Sequence, residues 1–516
     1  MAALEFLPNS PTLMNAGIAG GQLSACFVLP LEDDLESIFA TLRLAARIQQ
    51  TGGGTGFSFS TLRPRGDLVR STGGISSGPP SFIELFDHAT SVIRSGGRRP
   101  GANMAVPRVD HPDIQEFIAA KRQAQTLSNF NLSVRVTDEF FETLQLHQRF
   151  PLRNPRDGKI VRWIDPGHLL DGIAQAAYEC GNPGLLFLDE IERSNVTPAL
   201  GRIEATNPCG EQPLLPYESC ILGSLNVAAL ASNGVVNYEG LREAVRDAVT
   251  FLDNVTEANH YPSSEIEHAS RLRRKIGLGV MGWADLLAMA GLPYDSEEAR
   301  KLGARPAAFI TARARAVSAE LGVQRGSFPA ITQSVRPARG FAALRNATVT
   351  CIAPTGTISL LAGCSNGIEP FFALATRRRV LDNRPVTEVN PLVREALGSL
   401  GAAGEAALAQ LQATGSLTDS PGIPEQIKRR FQITLEIAPW AHLQMQAAFQ
   451  AHVDGAVSKT VNLPADVRLE TVRKVFLTAH GLRLNGLTVY RHGSRRGQPL
   501  SLVHEHACSD CRECAT

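Results

Sequence analysis

Two apolar rhythms alternate along the chain. Residues 240–256, EGLREAVRDAVTFLDNV, carry Leu241, Val245, Ala248, Val249, Leu252 and Val255 on one stripe at helical spacing, which predicts an amphipathic helix. Residues 165–180 open on Asp165 as a cap and end before Gly181, predicting a second helix. Short apolar runs at 184–190 (GLLFLDE) and 347–354 (ATVTCIAP) predict buried strands, and the Ala-rich stretch 394–412 predicts a surface-packed helix or an insertion. Mixed helices and strands without a sequence repeat predict an α/β protein. We expect one large domain over 1–495, followed by a polar, Cys-containing tail at 496–516.

Composition narrows the function classes. The apolar fraction is 43% and the charged fraction 20%, as in ordinary globular proteins, and the formal net charge of +1 disfavours a nucleic-acid polymer as partner. No apolar run is long enough to span a bilayer, and the first residues lack a basic segment followed by an apolar one. The expectation is a cytoplasmic protein with reduced thiols. The nine cysteines are scattered, so a disulfide scaffold is not expected.

Glycine clusters punctuate the chain at 51–58, 71–81, 95–103 and 354–359. None contains the GK[ST] signature of a nucleoside-triphosphatase loop. PTGTIS (354–359) follows a strand-like run and opens a helix-like one. Backbone N–H groups at such a junction suit a diphosphate, with Thr355 and Thr357 as added hydroxyl donors.

Residues 205–212, ATNPCGEQ, surround one cysteine with an amide and a carboxylate. In extended chain, Asn207, Cys209 and Glu211 would project to one side. Glu211 could then take a proton and Asn207 orient a hydroxyl. A neighbouring anion raises a thiol's pKa, which disfavours an ionic thiolate but is harmless to one-electron chemistry at sulfur. Cys180, Cys351 and Cys364 read as small buried hydrophobes. No metal held directly by the protein is expected at Cys209, because zinc-ligand spacing is absent there. The tail motif CSDCREC (Cys508, Cys511, Cys514) fits zinc, redox-active thiols or a tail without function.

Ten ordered motifs carry a family resemblance over roughly residues 6–495. They include NSPTLMNAG, TGGGTGFSFSTLRPRGD, ATNPCGEQPLLPYESCILGSLN, RKIGLGVMGWADLL, NATVTCIAPTGTISLLAG, AVSKTVNLP and TVYRHGSR. Together they resemble ribonucleotide reductase, in its adenosylcobalamin-dependent (class II) form. The resemblance implies a ten-stranded α/β barrel of two five-stranded halves, flanked by helices, with Cys209 on a central finger loop. It implies adenosylcobalamin as cofactor and reduction of ribonucleotides, diphosphates by preference, to deoxyribonucleotides. Cys209 would be the thiyl radical that abstracts the ribose 3′-hydrogen, Glu211 the acceptor of the 3′-hydroxyl proton and Asn207 the ribose ligand. Cys26 and Cys220 would be the pair that closes into a disulfide. Substrate contacts are expected from Ser10, Ala25, Cys26, Gly54, Asn207, Pro208, Cys209, Gly210, Glu211, Pro354, Thr355, Gly356, Thr357 and Ile358.

The resemblance further implies a deoxynucleotide or ATP effector relayed by the loops 71–81 and 95–103, with Asp33 and Arg63 as contacts. It also implies a homodimer, a thioredoxin-like or small-thiol reductant, and a shuttle role for the tail cysteines. A class I catalytic subunit needs two adjacent tyrosines near its C-terminus, whereas Tyr490 is followed here by Arg491. The family's usual helical segment before LPNSPTLMNAG is expected to be missing. Two alternatives stay open at this point: a class I subunit needing a separate radical subunit, and an inactive nucleotide-binding remnant.

Overall fold

The computed structural model describes residues 1–69, 73–93, 101–122, 126–380 and 384–494, the side chains of 377–380 and 384–386 excepted. The expected tail, 496–516, lies outside them.

Five parallel strands form one half of a closed barrel: Cys26–Leu29, Gly54–Ser58, Asn103–Val106, Phe130–Val136 and Gly184–Phe187. The second half is also parallel. It runs Ser219–Asn226, Ile276–Met281, the segment 350–352, Thr460–Leu463 and Gly486–Arg491. Two antiparallel seams join the halves. In one, Cys26 and Phe27 face Cys220 and Ser219; in the other, Leu185 and Leu186 face Leu487 and Gly486. A further strand, Phe6–Pro8, lies antiparallel on residues 223–225. This is the expected ten-stranded architecture.

Strand alternation divides the side chains between two environments. Cys26, Val28, Met104, Val106, Leu186 and Leu222 share the barrel's interior cluster. Their neighbours Phe27, Leu29, Ala105, Leu185 and Phe187 point outward into a core shared with helix Pro166–Cys180. The second half packs on helix Tyr238–Ala258, whose predicted stripe is fully committed: Leu241, Val245, Ala248, Val249, Leu252 and Val255 are all buried. Both predicted helices form, with Asp165 capping through Gly167 N–H.

Two expectations need correction. The run 347–354 is not a continuous strand: only Thr350 and Ile352 bridge, to Leu278 and Val457, and the chain then leaves the barrel wall at Ala353. The Ala-rich stretch is two helices, Pro391–Gly398 and Ala402–Thr414, broken where Gly401 adopts φ 57°. They belong to a separate small core that includes Phe371, Val393, Leu411 and Phe431.

The barrel's axis is occupied by the chain itself. Ala205–Thr206 pairs antiparallel with Pro213–Leu214, and Ala205, Leu214 and Leu215 join the interior cluster. Glycines on the wall make room for this finger. A Cβ on Gly56 would lie 1.8 Å from the Thr206 carbonyl oxygen, and one on Gly54 would meet Pro208 at 2.9 Å.

Candidate active site

The finger's tip is a β-turn. Gly210 N–H donates to the Asn207 carbonyl at 3.1 Å, and Gly210 adopts φ 83°, a left-handed conformation open to glycine at little cost. This corrects the expected extended geometry: Asn207, Cys209 and Glu211 converge because the chain reverses, not because it alternates. Gly210 shapes the turn and does not line the cleft.

The other expected contacts share one cleft enclosing about 760 Å³, part of it continuous with solvent. Ser10, Ala25, Cys26, Gly54, Asn207, Pro208, Cys209, Glu211 and the loop Pro354–Ile358 all line it. Asn9, Gly52, Gly53, Ser224 and Ala353 do so too, and sequence reasoning missed them. Asn9 had a legible signal, the N-S-P start of a helix. Its side chain caps Thr12 N–H at 3.0 Å and donates to the Leu222 carbonyl at 3.1 Å, fixing helix Ser10–Asn15 against the barrel.

Within the cleft, Cys209 is exposed at the tip, while Asn207 and Glu211 are each 2% exposed. Asn207 Nδ2 donates to Cys26 Sγ at 3.1 Å, and its Oδ1 accepts from Gln212 N–H at 3.0 Å. The Cys26 thiol points to Glu211 Oε1 at 4.0 Å. Burial, then the charges of Glu211 and the neighbouring sulfurs of Cys220, Cys209 and Cys351, hold Cys26 well above the ordinary thiol pKa. It is therefore a protonated thiol near neutrality.

Cys220 does not line the cleft. It stands directly across the antiparallel seam from Cys26. Facing residues of such a pair have Cα atoms about 4.5–5.5 Å apart, inside the range a disulfide accepts. Cys26 and Cys220 are free thiols in this structure. Cys351, read from sequence as structural, is fully buried against the same cluster. Gly277 opens the space for its sulfur, since a Cβ there would meet Cys351 Sγ at 2.6 Å.

The loop Pro354–Ile358 enters helix Gly356–Ala362. Thr355 holds φ 55°, and its Oγ1 accepts from Gly367 N–H at 2.8 Å. Asp33 and Arg63 meet in an ion pair, Arg63 Nε to Asp33 Oδ2 at 2.8 Å, at a distance in sequence no local rule anticipates. Residues 71–72 and 95–100 of the two expected effector loops lie outside the described residues, as do Cys508, Cys511 and Cys514. Among the described residues, no helix is long and apolar enough to cross a membrane.

A closed barrel of two parallel halves, with a cysteine-tipped finger on its axis and a facing thiol pair in its wall, defines a class. The chain belongs to the ribonucleotide reductase barrel-domain family, whose model matches residues 24–343 and 340–490. It is 52% identical over 499 residues to a vitamin B12-dependent ribonucleoside-diphosphate reductase of Mycobacterium tuberculosis, covering 96% of this chain and 72% of that relative. A protein of the same name from Thermoplasma acidophilum is 48% identical over 503 residues, covering 97% of this chain and 65% of the relative. The fold is similar to that of the class Id ribonucleotide reductase alpha subunit of Actinobacillus ureae, with TM-score 0.77 at 23% identity over 96% of this chain and 88% of that one.

Proposed function

We propose that this protein reduces ribonucleoside diphosphates to 2′-deoxyribonucleotides by thiyl-radical chemistry, with adenosylcobalamin as cofactor. One observation carries the reading: Cys209, Cys26, Glu211 and Asn207 line a single cleft, with Cys220 facing Cys26 across the seam.

Space at the tip suits a large cofactor. Cys209 is exposed, and among the described residues no neighbouring atom lies within 4 Å of where a Gly210 Cβ would stand. Cys209 and Gly210 would therefore face the bound group. When bound, adenosylcobalamin supplies the radical by homolysis of its cobalt–carbon bond.

The chain's own steps begin with Cys209 as thiyl. It takes the 3′-hydrogen atom, while Glu211 accepts the 3′-hydroxyl proton. Asn207 orients the ribose through the Nδ2 hydrogen not given to Cys26. The 2′-hydroxyl leaves as water, its proton supplied by the Cys26 thiol. Cys26 and Cys220 then give two electrons and close into a disulfide while the Cys220 hydrogen goes to C2′; Glu211 returns its proton to the 3′-oxygen, and Cys209 returns its hydrogen to C3′. Burial of Asn207, Glu211 and Cys26 keeps bulk water from the radical. The diphosphate would rest on the N-terminal turns of helices Ser10–Asn15 and Gly356–Ala362, which both open on the cleft.

The cycle starts from reduced thiols, so we place the enzyme in the cytoplasm, served by a thioredoxin-like protein or small thiol. We further assign the Asp33–Arg63 pair to a deoxynucleotide or ATP effector site in a homodimer, and the tail cysteines to the shuttle. The class I alternative is disfavoured by identity: the chain matches a reductase subunit alpha of Chlamydia pneumoniae at only 26%. Arg491, where a second tyrosine would stand, is committed to Tyr178, donating to its carbonyl at 3.0 Å.

The test is turnover of a ribonucleoside diphosphate with dithiothreitol and adenosylcobalamin and no second protein. Deoxynucleotide formation is expected. Cys209→Ser is expected to abolish it while leaving nucleotide affinity within about twofold. Turnover requiring a separate radical subunit would overturn the cofactor assignment.

A further inference from the structure

Beside the thiol pair lies a buried charged cluster that the proposed chemistry does not use. Lys275 Nζ stands 2.8 Å from Glu218 Oε2, with side chains only 4% and 1% exposed. Arg273 Nε approaches the other carboxylate oxygen at 3.1 Å, and Glu218 Oε2 also accepts from Leu215 N–H at 2.5 Å. Two cations against one carboxylate leave the cluster net positive.

Register places it against Cys220. Ile221 pairs in parallel with Ile276, so Cys220 and Lys275 are neighbours one step earlier. Cys220 Sγ lies 3.5 Å from the Lys275 carbonyl oxygen. Cys26, Cys220 and Lys275 thus form a row across three adjacent chain segments. The ends of that row differ in access: Cys26 is on the cleft wall, whereas Cys220 is fully buried behind it.

Resting on the disulfide role given above to the pair, we infer that Lys275, locked by Glu218, is a positioning residue that makes Cys220 the leaving sulfur when the disulfide is re-reduced. An external dithiol reaches only Cys26. Its thiolate bonds to Cys26 Sγ, the Cys26–Cys220 bond breaks, and the electron pair stays on Cys220. The Cys220 thiolate is stabilised by the charge of the neighbouring Lys275 ammonium until it takes the proton released by the incoming thiol. The second external thiol then displaces Cys26, leaving both cysteines reduced and the dithiol oxidised, with two electrons and two protons transferred. Exchange is faster when the departing thiolate is stabilised. Burial pushes the Cys220 thiol far up and Glu218 adds to this, while Lys275 opposes them. Without the lysine, Cys220 would be a poor leaving group in a dry wall.

The test begins by oxidising the purified full chain with diamide and confirming the Cys26–Cys220 disulfide by peptide mapping. Failure of that disulfide to form would overturn the role of the pair, and with it this inference. The oxidised protein is then treated with cysteamine, quenched in acid and mapped; the mixed disulfide is expected on Cys26. In parallel, the rate of disulfide reduction by dithiothreitol is followed by alkylation and mass spectrometry. Lys275→Met is expected to slow it by about tenfold or more, and Lys275→Arg to restore most of the rate. An adduct on Cys220, or a reduction rate in Lys275→Met equal to that of the unmodified chain, would overturn the inference. The adduct map needs no variant, so a folding defect in Lys275→Met leaves the proposal testable.

Discussion

Asp454 shows how a single buried carboxylate can hold the finger from outside. It accepts from Arg315 at 2.5 Å, Arg336 at 2.8 Å and Val349 N–H at 2.9 Å, and the next residues, Gly455 and Ala456, abut the Glu211 carbonyl. Burial pushes its pKa up, but Arg336 and Arg315 outweigh burial and hold it below the ordinary value of 3.8. A depressed folded-state pKa stabilises the fold above 3.8, and that contribution is lost as pH falls through the lower folded value. Asp454→Ala leaves the buried guanidinium of Arg336, and the partly exposed one of Arg315, without their shared anion. A loss of about 3–5 kcal/mol in urea denaturation at neutral pH is expected, shrinking as pH drops below 4. Thr355 is the opposite case, a β-branched residue at φ 55° on the cleft wall. Thr355→Gly relieves strain of order 1–2 kcal/mol but frees the loop. Nucleotide affinity is expected to weaken several-fold by calorimetry, with little change in melting temperature. At this scale the sequence was informative where chemistry is local. Asn207, Cys209 and Glu211 fall within five positions, whereas Lys275 and Glu218 are 57 apart and meet only through strand register.

Elements were legible in proportion to their periodicity. Helix Tyr238–Ala258 shows a full stripe and forms as expected. The segment 347–354 has the composition of a buried strand, yet pairs only at Thr350 and Ile352. Composition cannot reveal that its last residues turn out of the wall to build a loop. The glycine clusters likewise read as turns or phosphate loops, because a glycine that admits another part of the chain looks no different in sequence. Gly56 is such a position. Gly56→Ala would drive a methyl into the Thr206 carbonyl, and with backbone on both sides no rotamer change relieves it. Loss of activity with destabilisation of about 1–3 kcal/mol or more is expected, read by turnover and thermal melting. Gly172→Ala, on a helix where among the described residues no neighbouring atom lies within 4 Å of the new methyl, is the control and should leave turnover unchanged without lowering the melting temperature.

At the level of the whole molecule, the seams between the two halves are shorter than the strand pairing beside one of them. Within the second half, Ser219–Asn226 and Ile276–Met281 share six registered pairs; each antiparallel seam has two. Hydrogen exchange followed by mass spectrometry is therefore expected to be faster at 26–27 and 485–487 than at 221–226. Uniform protection around the ring would contradict that ranking. Neither seam was visible in the sequence, since pairing between strands roughly two hundred and three hundred positions apart leaves no local trace.

A ring of ten strands is too wide for side chains alone to fill. Because Ala205, Leu214 and Leu215 serve as its plug, the reactive sulfur and the stuffing of the lumen are one continuous piece of backbone. Evolution cannot trim this cylinder by a strand without evicting the peptide that bears Cys209. Circumference and chemistry must be inherited together.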